Sequence, residues 1–356
     1  MIYLDHNATP PARPAVIDAV AAAMRMHGNA SSVHAAGRDA RGAVENARKA
    51  VATLINVDPK AVIFTSGATE ANNAVLKSFS GKILISGIEH PSVLESAPKA
   101  ERIPVLENGI VDLKAFEGMC DGAALVSVML VNNETGVIQP VAEIAKIAKA
   151  KGARVHCDAV QAIGRMDVDV QKLGVDYLTL TAHKFGGPQG VGALIALQGT
   201  PPVKLIHGGG QERRARAGTE NVAGIAGFGV AIQECNVAQF QKLSVLRDQI
   251  EAGIPGITVF GKDSQRVANT TCFALPGVVA DTQLMALDLA GVCVSSGSAC
   301  SSGSVKPSHV LEAMGIAPAI AGCALRVSLG WNSTQDDVDQ FIATYNKIAP
   351  TWKKAA

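Results

Sequence analysis

A chain of 356 residues with 48% hydrophobic and 18% charged side chains can bury a large core, which excludes a small stapled scaffold and an intrinsically disordered chain. Lysine and arginine number 32 against 31 acids, so a net charge of +1 offers no overall field to nucleic acid or an anionic membrane, and any anion site must be local. Aromatic residues make up only 4%, so the core must be aliphatic, and 35 glycines point to tight turns or close backbone approaches.

From the N-terminus, MIYLDHNATP reaches Asp5 without the basic and apolar regions of a secretory signal. Val16, Ile17, Val20 and Met24 are spaced as the apolar face of one helix, and Val44, Ala47, Val51 and Leu54 as that of a second. Short apolar runs then recur: AVIFT at 61–65, KILIS at 82–86, ALVSVMLV at 124–131, ARVHC at 153–157, DYLTLT at 176–181 and GALIAL at 192–197. Runs apolar on both faces, alternating with helical patterns, predict a mainly parallel sheet covered by helices. The uncharged stretch 221–233 is too short to span a membrane and is broken by three glycines. A polar helical pattern over 238–252 ends at Gly253-Ile254-Pro255-Gly256, where the texture changes. Beyond it ITVFG, RVANTTCFAL and CALRVSLG read as strands of a smaller α+β unit, with helices over 281–290, 307–314 and 334–348.

With neither a signal pattern nor a membrane-length stretch, a soluble cytoplasmic protein is expected; the seven cysteines are odd in number, scattered and without CxxC pairs, so neither a disulfide framework nor a metal site is expected. Most sit in apolar runs as small hydrophobes. Cys300 does not: Ser295-Ser296-Gly297-Ser298-Ala299-Cys300-Ser301-Ser302-Gly303-Ser304 has no large side chain, and its one reactive group is a thiol. The segment reads either as a nucleophile on a tether or as a linker with an incidental cysteine.

Four other segments carry chemistry. In Thr181-Ala182-His183-Lys184-Phe185-Gly186-Gly187 a lysine follows a strand directly, where α/β proteins place ligands, and a desolvated lysine there can capture a carbonyl; a surface lysine in a glycine turn is the alternative. Asp158 closes the strand ARVHC, either as a helix cap or as the carboxylate beside a ring nitrogen. Ser66-Gly67-Ala68-Thr69-Glu70 joins a strand to a helix, either as a plain capped turn or as an anion site built from backbone N–H groups and a hydroxyl. Gly208 to Asn221 is a glycine turn followed by three arginines, either a solvated basic loop or one that lends Thr219 to a phosphate or an arginine to a carboxylate.

Together with YLDHNAT, GNASSVH, FTSGATEANN, IEH, VNNETG, HCDAVQAIG, TAHKFGGPQG, GGGQERRARAGTEN, SGSACSSGSVKPSHVLEAMG and ALRVSLG, these segments resemble, almost end to end, the cysteine desulfurases of the nitrogen-fixation and iron–sulfur type. These are class V aminotransferase relatives of fold type I that use pyridoxal 5'-phosphate. The resemblance implies an α/β fold with a seven-stranded, mainly parallel sheet in a large domain over 15–253, and a small α+β domain from 1–14 and 254–356 that carries the cysteine. It implies Lys184 as the Schiff-base lysine, Asp158 on the ring nitrogen, Gln161 on the phenolic oxygen, and His90 stacked on the ring and active in proton transfer. Ala68, Thr69, Thr181 and His183 match phosphate positions, with Thr219 supplied by the second subunit of a homodimer. Asn133 and Arg326 match the holders of the substrate carboxylate, and Cys300 the persulfide carrier. Thr181 stands where serine is common and Ala68 where glycine is, and both changes keep the expected contacts.

The implied activity is removal of sulfur from L-cysteine to give L-alanine and a persulfide on Cys300, passed to a sulfur-acceptor or iron–sulfur scaffold protein. A selenocysteine lyase or cysteine lyase on the same fold would keep Lys184 and Asp158 without needing Cys300 for every substrate. An aminotransferase would need a second, amino-accepting substrate. A non-catalytic sulfur-carrier scaffold would explain Cys300 but not the lysine and aspartate pair.

Overall fold

Residues 1–204, 206–297 and 308–352 are described by a computed structural model. The strands, in chain order, are β1 (Ile2–Tyr3), β2 (Val62–Thr65), β3 (Lys82–Ser86), β4 (Glu101–Ile103), β5 (Ala123–Ser127), β6 (Arg154–Asp158), β7 (Tyr177–Thr181) and β8 (Gly192–Ala196), followed by β9 (Thr258–Val259), β10 (Thr270–Ala274), β11 (Val292–Cys293), β12 (Ser295–Ser296) and β13 (Ala324–Ser328). Seven form one sheet in the order β2-β8-β7-β6-β5-β3-β4, parallel from β7 to β4 and antiparallel only where β8 meets β7 and β2. Helices cover this sheet, so β7 is buried along its whole length and β6 and β5 are buried but for Arg154 and Ala124, as mainly apolar runs require.

Two expectations about this sheet change. The edge strand β4 escapes a search for apolar runs because two of its three residues are charged and exposed. The run 124–131 is strand only to Ser127: the N–H groups of Val128 and Leu130 still reach the carbonyls of His156 and Asp158, but that of Met129 goes to the Glu89 carboxylate at 2.6 Å. A side chain there replaces the neighbouring strand, and the chain leaves the ladder beside the cleft that Met129 lines.

The helix Pro14–Met24 turns Val16 and Ala23 inward and leaves Ile17 and Met24 56% and 74% exposed, so its buried face is one position out of phase with the expected set. What it packs on is the stretch that the glycines interrupt. Val222–Gln233 is a helix lying against both Pro14–Met24 and Ala35–Leu54. A Cβ at Gly227 would come within 2.5 Å of Val20 Cγ2, and one at Gly229 within 2.8 Å of Ala47 Cα. Glycine in this helix costs about 1 kcal/mol of propensity per residue but allows backbone-close packing. Gly229→Val meets Ala47 backbone, which cannot yield as a side chain would, so a loss of about 1–3 kcal/mol in urea unfolding is expected.

A second sheet, β12-β13-β10-β9, is antiparallel, and β1 pairs with β11 in parallel while Asp5 bridges to Ser328. Around it Ile2, Leu4, Ile250, Phe273, Leu325, Phe341 and Tyr345 form an apolar core separate from that of the large sheet. The polar pattern over 238–252 resolves into two helices, Val237–Gln241 and Leu243–Gly253, and the last helix runs over Gln335–Trp352. No described helix is long and apolar enough to cross a membrane. The six described cysteines are free thiols, four of them buried, and burial pushes Cys235 up to about 11.

Candidate active site

Parallel strands all end on one side of their sheet, and the crevice outside those ends is where such sheets bind ligands. Met129, Asp158 and His183, at or just beyond the ends of β5, β6 and β7, line one cleft of about 880 Å³. Of the site residues expected from the sequence, Lys184, Asp158, Gln161, His90, Ala68, Thr69, Thr181, His183, Asn133 and Arg326 all line it. Thr219 is exposed on its loop and does not. Cys300 lies outside the described residues, whereas Gly297 and His309, on either side of its segment, line the cleft.

Asp158, a residue 5% exposed, ends β6 with its carboxylate accepting from Val160 N at 3.0 Å and from Asn72 Nδ2 at 2.8 Å. Lys184 follows β7 in a single 3₁₀ turn, Ala182–Lys184, and its Nζ donates to the carbonyls of Asn7 and Ala8, each at 2.7 Å. Lining the same cleft, the helix Ala68–Lys77 begins after Gly67 with no side chain capping it, so its first N–H groups are open to an anion. That turn lies so close to β8 that a Cβ on Gly192 would sit 2.8 Å from Gly67 Cα. Burial, and then the Lys184 charge, lower His183 to about 4, so near neutral pH it is an uncharged ring.

Arg326, 3% exposed, gives one Nη to Asp5 at 2.7 Å and the other to the Asn133 carbonyl at 3.2 Å, while its buried Nε has no partner among the described residues. Gln161 donates from Nε2 to the Asn7 carbonyl at 3.0 Å, and its buried Oε1 is likewise unpartnered. A buried polar atom without a partner is costly, so these groups await something polar in the cleft. An uncapped helix start, a buried carboxylate and a lysine lining one cleft suit a ligand carrying a phosphate, a basic ring nitrogen and a carbonyl.

The matching region of the Aminotransferase class-V family covers residues 2–341. The chain belongs to the class V aminotransferases. Within this family it is 40% identical over 370 residues to the cysteine desulfurase IscS of Dictyoglomus turgidum, covering 98% of this chain and 94% of that one. An IscS-like cysteine desulfurase of Mycobacterium tuberculosis is 40% identical over 371 residues, 95% of this chain and 94% of its own. The X-ray structure of a NifS-like protein from Rickettsia africae superposes with a TM-score of 0.91 at 37% identity, covering 98% and 99% of the two chains. The protein is thus a class V enzyme of the cysteine desulfurase kind, and its seven-stranded sheet is the one these structures share.

Three residues of this class V site do not stand out in the sequence. Asn7 is 1% exposed and joins both sheets: its carbonyl takes Lys184 and Gln161, its Oδ1 takes Arg165 at 2.7 Å and Asn269 at 3.1 Å, and its Nδ2 reaches the Asn133 carbonyl and Thr270 Oγ1, both at 3.0 Å. Asn72 ties Asp158 to Ser92. Glu134 accepts from Ser308 Oγ, and a Cβ on Gly297 would lie 2.6 Å from its Oε2, so one carboxyl group meets both ends of the Cys300 segment. Burial pushes Glu134 up to about 7 against the opposing pull of that hydrogen bond and of Arg326. Asn7, Asn72 and Glu134 sit inside the YLDHNAT, FTSGATEANN and VNNETG strings, which was the one available signal.

In the arginine loop the reading that lends an arginine to a carboxylate holds: Arg216 pairs with Glu70 of the same chain, at 3.0 and 3.2 Å. Arg213 reaches the carbonyls of Lys60 and Val62, and both it and Arg214 are exposed.

Proposed function

We propose that this enzyme is a pyridoxal 5'-phosphate-dependent cysteine desulfurase that converts L-cysteine to L-alanine and leaves the sulfur as a persulfide on Cys300. The observation that carries the reading is the convergence on one cleft of the Lys184 amine, the Asp158 carboxylate, the uncapped helix start and both flanks of the Cys300 segment. The donor set fits the cofactor. Lys184 would hold its aldehyde carbon, Asp158 its ring N–H and Gln161 its ring oxygen, with Ala68, Thr69, Thr181 and His183 around the phosphate. Bound there, the cofactor supplies an electron sink for the Cα of the attached amino acid.

The chain's own groups do the rest. Arg326, oriented by Asp5 and Asn133, would take the substrate carboxylate and so set which Cα bond faces Lys184. The Lys184 amine would take the Cα proton at Nζ. The Cys300 thiolate attacks the substrate sulfur: the new S–S bond uses the thiolate electron pair, the C–S bond breaks with its pair on carbon, and protonation there yields alanine. A free thiol has a pKa of about 8.5, so only a minor fraction is thiolate at neutral pH unless the site lowers it.

The persulfide then passes to a sulfur-acceptor or iron–sulfur scaffold protein, in keeping with the IscS relatives. Residues 15–253 would hold the cofactor, and 1–14 with 254–356 would bring the thiol, a division that the two separate cores support. An exposed Thr219 that does not line its own cleft supports a homodimer in which it completes the partner's phosphate site. Six free thiols among the described residues support a reducing, cytoplasmic setting. The test is to feed L-cysteine and measure alanine and protein-bound sulfane sulfur. Cys300→Ser is expected to lose the bound sulfur and at least tenfold of the alanine rate, about 1.4 kcal/mol of barrier. Undiminished turnover in that variant would sink the persulfide role.

A further inference from the structure

Glu134 places a buried carboxyl group in the wall of the cleft, and the reaction as described leaves it unused. The turn that carries it is well tied: Asn132 Oδ1 accepts from the backbone N–H groups of Glu134 and Thr135, at 3.0 and 2.9 Å, and Gly136 N closes on the Asn132 carbonyl. Glu134 Oε2 meets Ser308 Oγ, the hydroxyl that caps the helix His309–Ala313 through Leu311 N at 3.1 Å. On its other side stands Gly297, where the chain leaves β12: a Cβ there would lie 2.6 Å from Glu134 Oε2 and 3.0 Å from Ser308 Cβ. The two residues that border 298–307 therefore stand side by side, joined through one side chain. Arg326 gives its Nη atoms to Asp5 and the Asn133 carbonyl, so Glu134 is not its ion-pair partner. Burying a carboxyl group is costly where an apolar side chain could fill the space, so its worth lies in what it binds. Burial pushes Glu134 up to about 7, so acid and carboxylate are both present near neutral pH. A hydroxyl can donate to the carboxylate or accept from the acid, and in either role it keeps a lone pair for Leu311 N, so the contact survives the titration.

We propose that Glu134 is a positioning residue for sulfur transfer: by holding Gly297 and Ser308 together it fixes both ends of the Cys300 segment at the cleft and so sets how the thiol meets the substrate sulfur. Cys300 is the third residue after Gly297, and three residues of chain reach at most about 10–11 Å, so the place of Gly297 bounds the place of the thiol. A stretch of chain with both ends pinned also has fewer arrangements than one held at a single end. The transfer step is sensitive to this, because a misplacement of about 1 Å can cost about 10²-fold in rate. The part in sulfur transfer rests on the desulfurase reading; the bridge between Gly297 and Ser308 does not.

Two measurements on the holoenzyme test it: steady-state alanine formation from L-cysteine, and the rate at which subtilisin cuts between residues 297 and 308. Glu134→Ala is expected to lower kcat by about 10–10²-fold while KM stays within about threefold, the mark of a lost step rather than lost binding. Cutting should rise about fivefold, the factor that one hydrogen bond commands in an opening equilibrium. Glu134→Gln offers the Ser308 hydroxyl both an acceptor and a donor, so it should recover most of the kcat and of the resistance to cutting. Equal losses in the two variants would assign the effect to the carboxylate charge beside Arg326 and overturn the inference, as would a loss confined to KM. Unchanged cutting in Glu134→Ala overturns it whatever the activity. Ser308→Ala removes the other partner and serves where Glu134→Ala does not fold; it should also lower kcat and speed cutting, and a Ser308→Ala enzyme matching the parent in both overturns the proposal. If the parent forms no alanine from L-cysteine, the desulfurase reading fails, while the cutting rates still decide whether Glu134 holds the two ends.

Discussion

Lys184→Ala is expected to abolish the visible absorbance of the purified enzyme and to lower alanine formation by more than about 10⁴-fold, because attachment point and base are lost together. General-base action alone is worth about 10²–10⁴. The structure adds a control. Nζ of Lys184 donates to the Asn7 and Ala8 carbonyls, so Lys184→Arg can keep that contact and the positive charge while presenting no amine for a carbonyl. Both variants should therefore be colourless and inactive, but Lys184→Arg should retain the unfolding midpoint of the parent more closely. A visible band that survives in Lys184→Ala would end the cofactor reading. A colourless variant with near-normal alanine formation would separate Lys184 from the chemistry.

Lys184, Asp158 and the Ser66–Glu70 turn were legible in the sequence because each pairs a residue type with a place: the end of an apolar run, where a parallel sheet opens to ligands. Asn7 and Asn72 were not, for a physical reason. An amide has no intrinsic reactivity, and its value comes from what folding brings to it; Asn7 meets Asn269, 262 positions away, and Asn72 meets Asp158, 86 away. The helix faces show the same limit. Val16, Ile17, Val20 and Met24 fit a helical period, but which edge of the stripe is buried was decided by the glycines of 222–233 that let Val20 in, a partner some 200 residues on. One buried charge on a helix face leaves a signal that a search for apolar stripes passes over. Arg48 falls between Val44, Ala47 and Val51 at the spacing of a buried stripe, and a cation there demands an anion from elsewhere in the chain.

That anion is Glu212, and removing it is expected to cost the fold about 3–5 kcal/mol. Arg48, 3% exposed, grips the Glu212 carboxylate through both Nη atoms at 2.9 Å, stacks 4.9 Å over the Phe64 ring and donates to the Val62 carbonyl at 2.7 Å. Glu212 Oε2 also accepts from Phe64 N at 2.9 Å. The pair holds a loop that local preference resists: Glu212, Arg213 and Arg214 have φ of 46°, 56° and 69°, left-handed values that cost each non-glycine residue about 1–2 kcal/mol. In Glu212→Ala the guanidinium stays buried with both Nη atoms deprived of their carboxylate and only the more exposed Glu45 left, on Nε at 3.0 Å, so most of its charge is desolvated without compensation. Combining Arg48→Met with Glu212→Gln removes both charges and keeps an acceptor for Phe64 N, so the double variant should lose much less in urea unfolding than the two single variants added together. Strict additivity would mean that the two side chains do not stabilise one another. The functional reading sharpens the test, because this loop also carries Thr219. If Thr219 completes the phosphate site of a second subunit, Glu212→Ala should weaken cofactor retention at temperatures where the sheet core is still folded, whereas Gly229→Val, in the helix packing, should lose cofactor only as the whole protein unfolds.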